Sequence, residues 1–244
     1  MTHYASKVVS APLVSLVSIT GGGTPSKQVP EYYTGNIPWV TPKDMKSWLI
    51  DDAEDHITEE AITSSSTTLI DPNAVLVCIR SGVLAHTLPV AINRVPVTLN
   101  QDMKAFRCSE QLHPSYLARF LKWYSPRLLQ TVRGTTAHNL SMDVVKQIEI
   151  PLPPLSEQKR IADILDKADA IRRKRQEAIG SFDDLSDSLF SQVARVADVE
   201  PRSISDLLES EVLIVHKDGN YGGSYPRKHE FGAVGIPFLS AKHV

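Results

Sequence analysis

Cysteine is scarce in this chain, and so are the other groupings from which a reactive centre is commonly built. Cys78 and Cys108 are the only two thiols in 244 residues. A pair so widely spaced offers neither a disulfide framework nor a zinc site. The eight histidines are scattered, without His-x-His or His-x-x-x-His spacing. No acidic cluster has the look of a nuclease metal site, and no glycine motif of the S-adenosylmethionine-binding kind occurs. An Asn/Asp-Pro-Pro-Tyr/Phe element of adenine methyltransferases is likewise missing. Cys78 or Cys108 could be joined with His86 as a nucleophile pair on paper. Cys78, however, lies inside the apolar run Ala74–Ile79 and reads as an inert core thiol. The expectation is a protein that is not an enzyme and carries no cofactor.

Long hydrophobic runs are also lacking. Nothing approaches the roughly 20 apolar residues that span a bilayer, and the segment Met1–Lys7 lacks the layout of a secretory signal. A reducing cytoplasm is the expected location, with no membrane partner. Charge of one sign is absent too. The net charge is −2, and residues 1–150 hold 13 Lys/Arg against 13 Asp/Glu. Any nucleic-acid face must come from local clustering, because bulk charge supplies none.

What is present falls into contrasting stretches. Residues 1 to about 150 are rich in Pro, Gly, Thr and short β-prone runs. Ala74–Ile79 reads as a buried strand ended by Ser81-Gly82, with Leu88–Ile92 and Val95–Leu99 as further strands whose prolines suggest edges or strand starts. An apolar stripe of Leu117, Phe120, Leu121, Tyr124, Leu128 and Leu129 predicts a helix over Pro114–Val132. Ile148-Glu149-Ile150 reads as a closing strand. The expected class is α+β: a compact head over 1–150.

Pro151-Leu152-Pro153-Pro154-Leu155 then forms a stiff hinge. Ser156 is the expected N-cap of a long helix, with Glu157 and Gln158 in its first turn. Between there and Val196 no proline occurs and Gly180 is the lone glycine. Steps of three and four residues pick out Ile161, Ile164, Ala168, Ile171, Arg175, Ala178, Phe182, Leu185, Leu189, Gln192 and Val196. Nine of these eleven are apolar, which is a coiled-coil seam over about five heptads. A helix of about 40 residues within 151–200 is some 60 Å long at about 1.5 Å per residue, so the stripe needs a partner helix. The basic run Arg172-Arg173-Lys174-Arg175 reads as a solvated face. Arg175, on the seam, calls for an acidic partner such as Asp183, Asp184 or Asp187 from an antiparallel helix.

The end of the chain echoes its beginning. Ile37–Met45 is matched 199 residues later by Ile236–Val244, with three of nine positions identical. Upstream, Gly22-Gly23-Thr24-Pro25-Ser26-Lys27 faces Gly222-Gly223-Ser224-Tyr225-Pro226-Arg227-Lys228. A period this long marks a duplicated domain rather than a solenoid repeat. Residues 201–244 are thus expected to open a second unit that stays incomplete.

Several loops of the head carry residues suited to DNA. Gly21–Lys27 lacks the Gly-Lys-Ser/Thr ending of a P-loop; it reads as a flexible loop or as a backbone contact through Thr24, Lys27 and main-chain N–H groups. Trp39 reads first as a core side chain. Lys43, beside a turn, can meet a phosphate. Arg80, with Ser81 at the end of the central strand, can reach a guanine edge bidentately or close a salt bridge. Arg133, His138 and Asn139 lie in a polar loop after the helix.

Taken together, Gly22–Ser26, Ile37-Pro38-Trp39-Val40, Asn100-Gln101, Gly134-Thr135-Thr136 and Ile150–Gln158 resemble the DNA-specificity subunit of type I restriction-modification systems. The Pro-Pro-Leu-Ser-Glu-Gln-Lys-Arg-Ile element is the most specific of these. The resemblance implies a non-catalytic reader of double-stranded DNA. In that family two target recognition domains are held apart by two antiparallel helices. Adenine methyltransferase subunits, which bind S-adenosylmethionine, dock on those helices, and endonuclease subunits join them. Here 1–150 would be one recognition domain and 151–200 one spacer helix, in half-length or truncated form, pairing as a homodimer. The competing reading is a coiled-coil adaptor whose neutral head binds protein and never meets DNA.

Overall fold

The computed structural model describes residues 9–132, 138–196, 206, 209 and 210, with side chains of the long helix described through Val193. The chain divides into two compact units, 1–176 and 177–244. Of the sequence readings, Arg133, the Gly134-Thr135-Thr136 element, the side chain of Val196 and the echo at 222–244 lie outside the described residues.

The first unit is α+β, as the sequence predicts. Its strands are β1 (Ser10–Pro12), β2 (Val17–Gly21), β3 (Ile37–Val40), β4 (Leu49–Ile50), β5 (His56–Ile57), β6 (Val75–Cys78), β7 (Val90–Asn93), β8 (Thr98–Leu99), β9 (Met103–Cys108) and β10 (Glu149–Pro151). Its helices are α1 (Glu59–Thr63), α2 (Pro114–Val132), α3 (Met142–Lys146) and the first part of α4 (Leu155–Val196), which continues into the second unit. A five-stranded sheet runs β2-β9-β6-β7-β4, a three-stranded one β5-β3-β8, and β1 pairs with β10.

The apolar run of β6 has a simple cause. Side chains alternate between the faces of a strand, and both faces of this sheet are covered. Val75 and Val77 join Phe106 and Ile92 in a core with Leu117, Leu121 and Leu128 of α2. Leu76 and Cys78 point the other way, into a second core with Val40, Leu99 and Met103. The helix α2 has its expected bounds, and Tyr116, Ala118 and Val132 are buried beside the expected stripe. The proline-flanked strands follow the expected pattern of edges or strand starts, β8 being an edge of its sheet. β7 lies inside the sheet between β6 and β4; Pro89 precedes it, and its carbonyl accepts from the Cys78 N–H at 3.2 Å. Pro96 stays outside β8, which is only two residues long.

The start of α4 is also a correction. Ser156 is not the cap: the carbonyl of Pro154 accepts from the N–H groups of Glu157 and Gln158 at 2.8 and 3.0 Å, so the helix begins at Leu155. A stiff proline already in place offers its carbonyl to the first turn, which leaves the serine hydroxyl nothing to cap. Ala162 is buried, and Ile161 packs on the core of the head. The exposed stripe therefore opens at Ile164 rather than Ile161. From Ile171 to Val193 every described side chain of α4 is exposed.

Candidate nucleic-acid interface

Strand directions decide which loops meet. β3 runs parallel to β8, with Val40 beside Leu99. β9 runs antiparallel to both β2 and β6, pairing Lys104 with Gly21 and Met103 with Cys78. The C-terminal ends of β2, β3, β6 and β8 therefore open at one end of the head, where β9 begins. Thr24, Lys27, Lys43, Arg80 and Ser81 all follow those ends.

Asn100-Gln101-Asp102, the turn from β8 into β9, ties the loops together. Asn100, almost fully buried, donates its N–H to the Val40 carbonyl at 3.0 Å and its Nδ2 to Asp102 Oδ2 at 3.1 Å. Its Oδ1 accepts from the Asp102 N–H at 3.1 Å. Such an amide that bonds its own turn two residues on is a fold device. Asp102 then faces Arg80: its Oδ1 accepts from Arg80 Nε at 2.5 Å, and its carbonyl from the Ile79 N–H at 2.8 Å. The salt-bridge reading of Arg80 is met. The salt bridge uses Nε, while the terminal nitrogens have no partner among the described residues and the side chain is half exposed. A fork with its two outer donors free is the group that pairs with guanine O6 and N7.

His138 and Asn139 join the same end. Arg80 and Asn139 form an antiparallel bridge, Ser81 donates its N–H to the His138 carbonyl at 3.1 Å, and Leu140 donates to the Ile79 carbonyl at 2.7 Å. Ser81 itself is committed: its hydroxyl caps the 3-10 turn Gly82–Ala85 by accepting from the Val83 N–H. Two pairs of candidates far apart in sequence, Arg80-Ser81 and His138-Asn139, are thereby neighbours.

The glycine segment behaves differently from a loose loop. The N–H of Gly23 donates to the Leu99 carbonyl at 2.9 Å, and its own carbonyl accepts from Trp39 Nε1 at 3.0 Å. Trp39 is buried, edge-on to Tyr33 with ring centroids 5.7 Å apart, and the Tyr33 hydroxyl donates to the Pro25 carbonyl. The core reading of Trp39 therefore stands. Side chains could not fit here: a Cβ on Gly22 would overlap the Asn100 carbonyl and meet that of Leu99 at 2.5 Å. Exposed Thr24 donates its hydroxyl to Gln101 Oε1. Lys27 is exposed, with no partner among the described residues.

Lys43 sits on a 3-10 turn, Pro42–Asp44, and forms ion pairs with Asp55 at 3.0 Å and Glu54 at 3.1 Å. Hydrogen bonding to Asp55, then to Glu54, raises its pKa. A phosphate would compete with two carboxylates for it. Gln101 and Asp102 were missed as site residues, since their role rests on contacts with Thr24 and Arg80 that only the folded register creates. Lys104, whose Nζ reaches over Gly21, was missed for the same reason.

Of the two thiols, Cys78 lies at this end of the head and donates to the Arg80 carbonyl at 3.7 Å. Burial pushes Cys78 up to about 11 and Cys108 up to about 12. Neither thiol should react with iodoacetamide at pH 8 in the folded protein, because so little thiolate is present. Stoichiometric labelling without denaturant, seen by mass spectrometry, would contradict that. Among the described residues no group of three His, Cys, Asp or Glu could hold a metal ion, and no helix is long and apolar enough to cross a membrane.

Residues 6–180 match the family model described as type I restriction modification DNA specificity domain. Over 162 residues the chain is 41% identical to the specificity subunit of the type I restriction enzyme EcoR124I/EcoR124II of Escherichia coli, covering 65% of this chain and 40% of that protein. Over 168 residues it is 32% identical to the MjaIX specificity subunit of Methanocaldococcus jannaschii, covering 66% and 38%. The chain thus spans about two-fifths of the length of these curated relatives. Two solved structures share the fold. The HsdS subunit from Thermoanaerobacter tengcongensis superposes with a TM-score of 0.56 at 19% identity over 72% of this chain and 41% of that one. A chain from a type I restriction-modification assembly gives 0.61 at 20% identity over 78% and 46%.

Proposed function

The chain belongs to the type I restriction-modification DNA-specificity family, and from that premise we propose that it reads one half of a bipartite DNA target for an adenine methyltransferase. It performs no chemistry itself. The partner subunits bind S-adenosylmethionine and extrude the target base; an endonuclease subunit can join the same assembly. The head is the target recognition domain, α4 is the spacer and the docking surface for the methyltransferase, and a second copy of the chain supplies the other half-site.

One observation carries the DNA reading over the adaptor reading. Arg80, Ser81, His138, Asn139, Thr24 and Lys27 lie at one end of the head, and Arg80, half exposed and held through Nε by Asp102, has terminal nitrogens without a partner among the described residues. Phosphate contacts position a protein, while base-edge contacts specify sequence. Lys27 has the first character and Arg80 the second.

The test is reconstitution with the cognate adenine methyltransferase, followed by duplex binding across a salt series and mapping of methylated adenines. Binding that weakens steeply with salt, with methylation at an interrupted motif, is expected. Arg80→Ala should weaken target binding by about 1–3 kcal/mol and relax one base position. Lys27→Ala should weaken all sequences alike and lower the salt slope by about one. An adaptor would show no salt-dependent DNA binding at all.

A further inference from the structure

We propose that Arg119 and Gln158 are positioning residues that fix the direction in which α4 leaves the head, and so the number of base pairs the assembled complex accepts between half-sites. The inference rests on the spacer reading above.

Apolar packing between α4 and the head is slight. Among the described residues of the helix, only Ala162 is a buried apolar side chain and Ile161 a partly buried one packed on the head's core. Dispersion and burial are non-directional, and so small a patch sets no angle. Orientation falls to two polar contacts with narrow geometry. In the first turn, Gln158 is 1% exposed and fully engaged. Its Oε1 accepts from the His113 N–H at 2.9 Å, and its Nε2 donates to the carbonyls of Gln111 and Pro153, each at 2.9 Å. Two turns or more further on, Arg119 of α2 grips the helix. Its Nε donates to Asp166 Oδ1 at 2.8 Å, and another nitrogen of the fork reaches Asp169.

Arg119 is itself immobilised. Its side chain is 12% exposed, and Cζ stands 4.1 Å over the Trp48 ring. The Trp48 carbonyl accepts from the Ile92 N–H of β7 at 3.0 Å, so the ring is seated on the central sheet. The Asp169 carboxyl is held below its ordinary range chiefly by the hydrogen bond to Arg119. A planar guanidinium stacked on one side and forked to two carboxylates on the other resists rotation in a way that an ammonium does not. Gln158 alone would leave a pivot after the proline hinge. With the second contact, two points define a line.

Small errors in that line are magnified. With about 1.5 Å of rise per residue, a tilt of about 5° displaces a point about 40 Å along the axis by about 3.5 Å. That is close to one base-pair step of about 3.4 Å. Loosening the clamp should therefore blur spacing while leaving the half-site sequences intact.

The experiment uses the reconstituted complex, a pool of duplexes with random sequence, and sequencing that maps methylated adenines. The unmodified complex should methylate a bipartite motif with one preferred gap. Arg119→Lys, which keeps the charge and loses the fork, should preserve both half-sites. It should lower discrimination against gaps one base pair longer or shorter by about fivefold. Should Arg119→Lys fail to fold, the double variant Asp166→Asn/Asp169→Asn removes the same grip from the exposed side. A folded variant with undiminished gap discrimination overturns the inference, as does a loss of methylation equal at every gap. No bipartite methylation by the unmodified complex overturns the spacer reading itself and this inference with it.

Discussion

Gly22→Ala is expected to lower the melting temperature of the chain by roughly 8–16 °C, the shift that about 4 kcal/mol produces in a protein of this size. The reason is steric and local. The added methyl group would overlap the Asn100 carbonyl oxygen and stand 2.5 Å from that of Leu99. Both neighbours are backbone, so no rotamer change relieves the clash. Relief by backbone shift would break the Gly23–Leu99 hydrogen bond and lift Trp39 off the Gly23 carbonyl. It would also disturb the Asn100 turn that holds Asp102 to Arg80. Gly82→Ala provides the control, because nothing lies within 4 Å of its Cβ position; that variant should melt within about 2 °C of the parent, as exposed substitutions do. A Gly22→Ala protein melting like the Gly82→Ala control would refute the account. Gly22 therefore serves the closeness of two chain segments, a role distinct from phosphate binding.

This glycine illustrates what a sequence hides. Periodic features were readable: the α2 stripe, the buried β6 run and the unbroken course of α4 each express a local repeat that burial imposes. The proline hinge was readable because proline restricts its own segment. Everything that depends on register was not. That Gly22 lies against Asn100, that Asp102 answers Arg80 across 22 residues, and that Arg80 bridges to Asn139 follow from long-range strand pairing. Ser156 was misjudged as a cap because the competing acceptor, Pro154, gains its position from the hinge. Gln158 reads as an ordinary first-turn residue in sequence, and only its three buried bonds to His113, Gln111 and Pro153 reveal a staple. The near-zero charge of the head also has a structural counterpart. Arg80, Arg94, Arg107 and Lys43 are each paired with acidic side chains of the same unit, which offsets part of the head's positive charge.

The 244-residue polypeptide is expected to be a dimer in solution, and Phe182→Asp/Leu185→Asp to make it a monomer with its head still folded. Phe182 is 70% exposed, Leu185 54% and Leu189 52%, along with Ile179, Phe190 and Val193. A soluble monomer seldom leaves so many large apolar side chains in water on one helix. A second copy is the occupant that the seam favours. Its three-and-four spacing is that of helices packed side by side, and a two-fold axis perpendicular to α4 sets the copies antiparallel. That arrangement also puts Arg175 of one copy within reach of an acidic residue among Asp183, Asp184 and Asp187 of the other, which fixes the register. Each buried Phe or Leu contributes about 1.5–3 kcal/mol. Two positions changed in both copies therefore remove about 6 kcal/mol or more, some four decades in affinity, before the repulsion of the new carboxylates is counted. Light scattering should report twice the chain mass for the parent and the chain mass for the variant. The variant's head should give an unaltered near-ultraviolet dichroism, since every described α4 side chain from Ile171 to Val193 is exposed. Because each copy would read the same half-site, the methylated motif of the reconstituted dimer should be an interrupted palindrome. A parent chain that scatters as a monomer at tens of micromolar, or an asymmetric motif, would refute the self-pairing and leave the seam to a helix from another polypeptide.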